Sequence, residues 1–248
     1  MKTLQEIQKQ LVPELVEVMK RRYLILHHIM MSGHIGRRAL AASLNMTERV
    51  LRSEVELLKS QGLLNVSTNG MRISDAGTLL LEQMDDVVKD LFGLTEIGER
   101  IRKAFNLKEV VVVPGDSSQS PLRKKELGQA GAQVLRKVIR QGDVIAVAGG
   151  STMAEIAERL TPSSQMRDHW FVPARGGLGE TVELQSNTIV STMAKRTGAK
   201  YRLLHVPDHL GEEAYQSLMQ EPNIQEIISV IRRARIVVHG IGDAIEMA

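Results

Sequence analysis

The stretch VIAVAGGSTMAEIAERL, Val144 to Leu160, runs from a short apolar segment through a small-residue loop into a helical pattern. This is the layout of a phosphate seat. Gly149 and Gly150 let the backbone come close to an anion. The free N–H groups and dipole of a helix beginning at Ser151 favour negative charge, and the hydroxyls of Ser151 and Thr152 add donors. A tight turn with a helix cap has the same composition, so the loop alone leaves both readings open. Two further loops carry chemistry. PARGGLGE, Pro173 to Glu180, holds Arg175, whose guanidinium can clamp a phosphate through two parallel hydrogen bonds, with Gly177 and Glu180 beside it. VVHGIGD places His239 and Asp243 after another apolar run. Gln185 and Asn187 follow the arginine loop, where they can reach sugar hydroxyls or serve as ordinary helix-surface amides.

Other chemistries find less support. The seven histidines show no metal-ligand spacing. His205 and His209 are four apart, but Pro207 between them argues against a helical metal site. The chain has no cysteine, which excludes disulfides and thiolate metal sites and fits a reducing compartment. Glu180, His239 and Asp243 are the candidates for a general base, yet they form no evident set, and no Ser-His-Asp constellation stands out. Neither a G-x-x-x-x-G-K-[ST] nor a G-x-G-x-x-G motif is present. The expectation is a protein without cofactor or metal that binds a phosphorylated compound. A sugar-phosphate isomerase or deaminase with an accessory N-terminal domain is the alternative.

A second group of residues lies in the first third of the chain. Residues 1–75 hold 11 Lys+Arg against 7 Asp+Glu, whereas the remainder holds 21 against 22, so the basic excess is N-terminal. That fits a module meeting a polyanion, joined to a near-neutral one. An apolar helical pattern covers residues 13–32 and stops at Gly33; a short helix follows from Arg37 to about Leu44, then a turn at Asn45-Met46. Thr47 is a good N-cap for a helix from about Glu48 to Gln61, which Gly62 ends. In LLNVSTNGMRIS, strand-like runs flank Asn69-Gly70, a hairpin signal. Three helices and a hairpin in this order predict a winged helix-turn-helix. Val50, Leu51, Val55 and Leu58 are expected to face the core, leaving Arg49, Arg52, Ser53 and Glu56 on the other face of the third helix, whose N-terminal half would enter the major groove. Thr47 at the helix start, Arg72 on the wing, and Arg37 and Arg38 are further candidates for DNA contact. With one tyrosine and no Phe or Trp before residue 75, base stacking on single strands is disfavoured and duplex operator DNA is the expected partner.

The elements that position these groups follow. Residues 76–104 read as one or two helices forming a linker, suited to pairing with its copy, since a helix-turn-helix reads two half-sites through a dimer. Beyond Leu107 come five short β-branched runs: KEVVVVPG, DVIAVAGG, WFVPARGG, YRLLHVPD and RIVVHGIGD. Helical stretches lie between them near 121–140, 151–160, 183–197 and 211–234. Strand and helix in alternation predict a mostly parallel sheet with helices on both faces, a Rossmann-like α/β effector domain over 105–248 behind a winged-helix domain over 1–75. No segment has the roughly 18 uninterrupted apolar residues of a membrane span and the N-terminus lacks a signal-peptide pattern, so a soluble cytoplasmic protein is expected.

The segments VAGGSTMAEIAE, FVPARGGLGE, QSNTI, YRLLHVP and VHGIGDA, behind a winged helix-turn-helix, resemble the SorC-type sugar-binding regulators of bacteria. The resemblance covers nearly the whole chain. It implies a repressor of glycolytic operon transcription, working as a homo-dimer or tetramer. Its effector domain would have the fold of sugar-phosphate isomerases related to glucosamine-6-phosphate deaminase and ribose-5-phosphate isomerase, without their activity. Fructose 1,6-bisphosphate is the implied inducer, touching Gly149, Gly150, Ser151 and Thr152, then Arg175, then Gln185. The family has Thr where this chain has Ser151, which keeps a hydroxyl. The family's effector domain also extends beyond the last residues seen here, so further strands and ligand contacts are expected outside this sequence.

Overall fold

The computed structural model describes residues 10–118, 120–163, 166–177, 181–207 and 210–242, apart from the side chains of residues 85, 86 and 90. The chain divides into two compact units, Met1–Gly115 and Asp116–Ala248.

The first unit opens with helix α1 (Pro13–Ser32), which starts on a proline that lacks only an orphan N–H and ends at Gly33 with φ +71°. Helices α2 (Arg37–Ser43) and α3 (Glu48–Ser60) follow, joined through Asn45 in the left-handed region. Strands β1 (Leu64–Ser67) and β2 (Gly70–Ile73) form an antiparallel wing with Ser67 opposite Gly70. The turn is therefore Thr68-Asn69, one residue earlier than the Asn69-Gly70 signal suggested. Gly70 is instead the point where the wing meets a third segment: a Cβ there would lie 2.9 Å from the Ile35 carbonyl oxygen, and Ile35 and Met71 exchange backbone hydrogen bonds of 2.9 and 3.2 Å. Ile25, Leu26, Ile29, Leu40, Leu51, Val55, Leu58, Leu64, Met71 and Leu81 make one continuous core.

Residues 75–104 form three helices, α4 (Asp75–Gln83), α5 (Asp85–Leu91) and α6 (Leu94–Ala104), where one or two were expected. The break between α5 and α6 is at Gly93, which takes φ +66°. Just before it, Phe92 tilts against Tyr23 of α1 with ring centroids 6.0 Å apart, so the linker folds back onto the first helix. The run at 110–113, expected as a strand, is not one. It lies beside α6 in the first unit, against Gly98, and no described strand runs alongside it to complete its backbone hydrogen bonds.

The second unit is a parallel α/β layer structure. After α7 (Pro121–Val138) come β3 (Val144–Val147), α8 (Ser151–Arg159), β4 (Trp170–Pro173), a 3-10 turn (Val182–Leu184), α9 (Ser186–Thr197), β5 (Lys200–Tyr201), α10 (Glu212–Gln220), α11 (Pro222–Arg232) and β6 (Ile236–Val238). The expected helix over 211–234 is split because Pro222 starts a new one. The sheet order is β5-β4-β3-β6, all parallel. Side-chain alternation sends Ile145, Val147 and Phe171 to the face covered by α7, α8 and α9, and Val144, Ala146 and Val172 to the face covered by α11. At the N-terminal edge, Arg235 before β6 is hydrogen-bonded to both carboxylate oxygens of Asp143 before β3. Among the described residues no helix is long and apolar enough to cross a membrane.

Candidate functional site

The strand order of the parallel sheet reverses once. The chain steps from β3 to β4 to β5 in one direction and returns to place β6 on the other side of β3. In open parallel sheets such a reversal opens a crevice beyond the carboxyl ends of the strands. Here that point is the end of β3, which is the Gly149–Thr152 loop.

The loop's geometry depends on its glycines. Gly150 adopts φ +117° and ψ 158°, a conformation costly for any residue with a side chain, and serves as the N-cap of α8 without supplying a capping group. The first-turn N–H groups of α8 therefore face the crevice without a side-chain cap. Gly149 lets the 3-10 turn approach: a Cβ on it would stand 2.7 Å from the Leu184 carbonyl oxygen. Gly150 N–H donates to that same oxygen at 2.8 Å. From below, the buried Ser186 hydroxyl donates to the Val147 carbonyl. The loop is thus bound to both the strand it leaves and the helix beyond it.

The other expected ligand residues fall around it. Ala174 N–H donates to Val147 O at 2.9 Å, which sets the start of the arginine loop beside the end of β3, and Arg175 is exposed. Gly176 packs under the Val206 carbonyl, where a Cβ would come within 2.3 Å, and Gly177 N–H donates to that carbonyl at 3.0 Å. Gln185 is half-buried at the start of α9. Asn187 has a different task from the one expected. Its amide donates to Leu204 O at 2.9 Å and accepts from Leu204 N–H at 3.0 Å, clamping the chain after β5 instead of offering both groups to a sugar. His239 is exposed after β6, its Nδ1 3.0 Å from Gly240 O. Glu180, His209 and Asp243 lie outside the described residues. Among the described residues no group of three or more His, Asp and Glu side chains could hold a metal ion.

One residue at the loop was not anticipated. Lys124, in the first turns of α7, donates from Nζ to Ser151 Oγ at 3.1 Å. The small-residue run Gly128, Ala130, Gly131, Ala132 was the available signal, since it marks a helix face built for close packing.

In the first unit, the Thr47 hydroxyl accepts from Val50 N–H at 3.4 Å and caps α3. Arg49, Arg52, Ser53 and Glu56 are exposed as expected. Val50 is not in the core: it is 38% exposed, because the buried stripe is Leu51, Glu54, Val55 and Leu58. Glu54, only 7% exposed, accepts from Arg21 Nε at 2.9 Å and Arg22 Nε at 2.8 Å, which locks α3 to α1. Burial raises the Glu54 pKa, but the bonds from Arg22 and Arg21 outweigh it and hold the carboxyl below its ordinary range. Arg37 and Arg72 are exposed; Arg38 is exposed too and pairs with Glu48 at 3.3 Å.

Comparisons with known proteins also divide the chain in two, at residue 88 where the structural units divide after Gly115. A CggR N-terminal DNA binding domain matches residues 18–88, and the Sugar-bind model, a sugar-binding domain, matches residues 89–248. The chain is 48% identical over 249 positions to the central glycolytic genes regulator of Priestia megaterium and 45% identical over 248 to that of Bacillus subtilis. Both alignments cover 100% of this chain and 73% of the relative. The chain belongs to the central glycolytic genes regulator family of SorC-type proteins. A crystal structure described as a SorC family regulator from Enterococcus faecalis matches with a TM-score of 0.56 and 40% identity, over 62% of this chain and 63% of that one. The full-length sorbitol operon regulator of Klebsiella pneumoniae matches in fold, with a TM-score of 0.53 at 22% identity over 79% of this chain and 58% of its own. The chain is therefore a transcriptional regulator with a DNA-binding and a sugar-binding domain, and it spans under two thirds of those two solved chains.

Proposed function

We propose that the protein is a repressor of glycolytic genes that lets go of its operator when a phosphorylated sugar, fructose 1,6-bisphosphate, binds the second unit. The observation that carries this reading is the Gly149–Thr152 loop, with its uncapped helix start at the reversal of strand order, in a chain 48% identical to a central glycolytic genes regulator. One phosphate sits on the first-turn N–H groups of α8 and the hydroxyls of Ser151 and Thr152. Arg175 reaches the same ligand from the adjoining loop, and Gln185 takes a sugar hydroxyl. Gly177 and Glu180 add ligand contacts from the same loop, and Asn187, which clamps Leu204, holds the site from behind. The protein binds the sugar and does not convert it.

On the DNA side, α3 enters the major groove with Arg49, Arg52 and Ser53 toward base edges and Glu56 at the margin. Thr47, Arg37, Arg38 and Arg72 contact phosphates. The reading unit is a dimer or a tetramer, with residues 76–104 contributing to the pairing. The sugar favours a protomer arrangement that cannot set two recognition helices one DNA turn apart, a coupling of about 1–3 kcal/mol. The double variant Arg49→Ala, Arg52→Ala separates the two functions. It should abolish specific binding to duplex operator DNA and leave calorimetric binding of fructose 1,6-bisphosphate unchanged. Retained operator affinity would show that another surface reads the DNA.

A further inference from the structure

We propose that Lys124 is a ligand of the phosphate at the α8 N-terminus and makes the site selective for a phosphate dianion over a neutral sugar. The inference rests on the reading of Gly149–Thr152 as a phosphate seat and adds a residue to it from a different helix.

Helices α7 and α8 lie side by side in the same direction. Lys124 is level with Ser151, Gly128 with Glu155, Gly131 with Ile156, and Arg136 with Thr161. The glycines make the approach possible: a Cβ on Gly128 would be 2.7 Å from Glu155 Cβ and 2.8 Å from its backbone, and one on Gly131 would be 2.7 Å from Ile156 Cδ1. Lys124, one turn before Gly128, is held by this contact at the mouth of the crevice.

Among the described residues its charge has no carboxylate partner. The neighbouring cation, Arg123, is paired at 2.8 Å with the buried carboxylate of Glu126. Lys124 is half-buried, and among the described residues its polar contact is a neutral hydroxyl, Ser151 Oγ. A cation there sits near the start of its own helix and against the start of α8, where both dipoles favour negative charge and oppose a positive one. An anion bound at Ser151 removes that conflict. The ammonium has three donors, so it can keep Ser151 and still bond a phosphate oxygen. With its oxygen accepting from Lys124, the Ser151 hydroxyl is left to turn its proton toward the phosphate. Lys124 thus supplies charge and orients a donor at once.

Three variants of the full chain test this by titration calorimetry: Lys124→Met, Lys124→Gln and Lys124→Arg, each with fructose 1,6-bisphosphate, inorganic phosphate and fructose. Lys124→Gln keeps a donor for Ser151 without the charge, and Lys124→Arg keeps the charge. Met and Gln variants that melt with the unaltered chain should lose about 10- to 100-fold in affinity for the bisphosphate, the range of a hydrogen bond to a charged group. The Arg variant should stay within about threefold, well inside one charged bond. Affinity for inorganic phosphate should fall in parallel with the bisphosphate. A Lys124→Gln variant that binds the bisphosphate as the unaltered chain does overturns this inference and leaves the proposed function standing. An unaltered chain that binds no phosphate compound overturns both.

Discussion

Arg175 and His169 show how far single side chains determine what this molecule does. Arg175 is exposed between Ala174, tied to Val147, and Gly177, tied to Val206, so residues 174–177 are held in place before ligand arrives. Arg175→Ala should weaken fructose 1,6-bisphosphate binding by about 10-fold or more, the loss of a charge-assisted pair, in a variant that still unfolds cooperatively. A variant that binds normally would place the phosphate elsewhere. His169 lies at the opposite, N-terminal edge of the sheet, 1% exposed, with no hydrogen-bond partner for either ring nitrogen among the described residues. Burial lowers its pKa against the pull of Asp143 and Asp168. A histidine depressed in the folded state protonates first in the unfolded chain. Its contribution to stability is complete above the ordinary value of 6.5 and is lost as pH falls below it. Between pH 8 and 5.5 (about one unit below the ordinary histidine pKa), the melting temperature of His169→Leu should fall less than that of the unaltered chain. Equal slopes would mean the imidazole is solvated. Asp143 and Glu54 act at lower pH: arginine bonds hold both below the ordinary carboxylate range, so the stability they give is complete above that range and is lost as pH falls from it through their lowered folded values.

At the scale of elements, the close pair α7–α8 decides whether the site exists. Gly128→Ala adds a Cβ against the Glu155 backbone, which cannot move as a side-chain tip can. It should cost about 1–3 kcal/mol in denaturant unfolding and weaken sugar-phosphate binding, because Lys124 and Ser151 separate. Wild-type stability in that variant would contradict the tight packing described. The sequence made much of this level legible. The pattern of α1, the Thr47 cap and the strands β3, β4 and β6 are all local signals, and the structure has them where periodicity and capping put them. What was hidden depended on contacts distant in sequence. The run at 110–113 has strand chemistry but no described strand to pair with; Asn187 reads as a sugar ligand or a surface amide until Leu204 is seen against it; and Val50 is misread because buried Glu54 displaces it from the core face. Lys124 is one of 32 basic residues until α8 is laid beside α7.

At the scale of the whole molecule, the proposed repressor must couple two units that each have a core of their own, one centred on Ile25, Leu51 and Met71 and the other on Ile145, Phe171 and Met193. Coupling through a change in protomer arrangement needs only a few-kilocalorie bias, which ligand contacts of the kind assigned to Ser151, Arg175 and Lys124 can supply. The most direct test is fluorescence anisotropy of labelled promoter DNA from a glycolytic operon, titrated with the protein at one fixed salt concentration, with and without fructose 1,6-bisphosphate. The account predicts specific binding that the sugar weakens by about 5- to 150-fold, the range of a typical allosteric coupling. Operator affinity that the bisphosphate leaves unchanged, or conversion of the bisphosphate in the same cuvette, would contradict it.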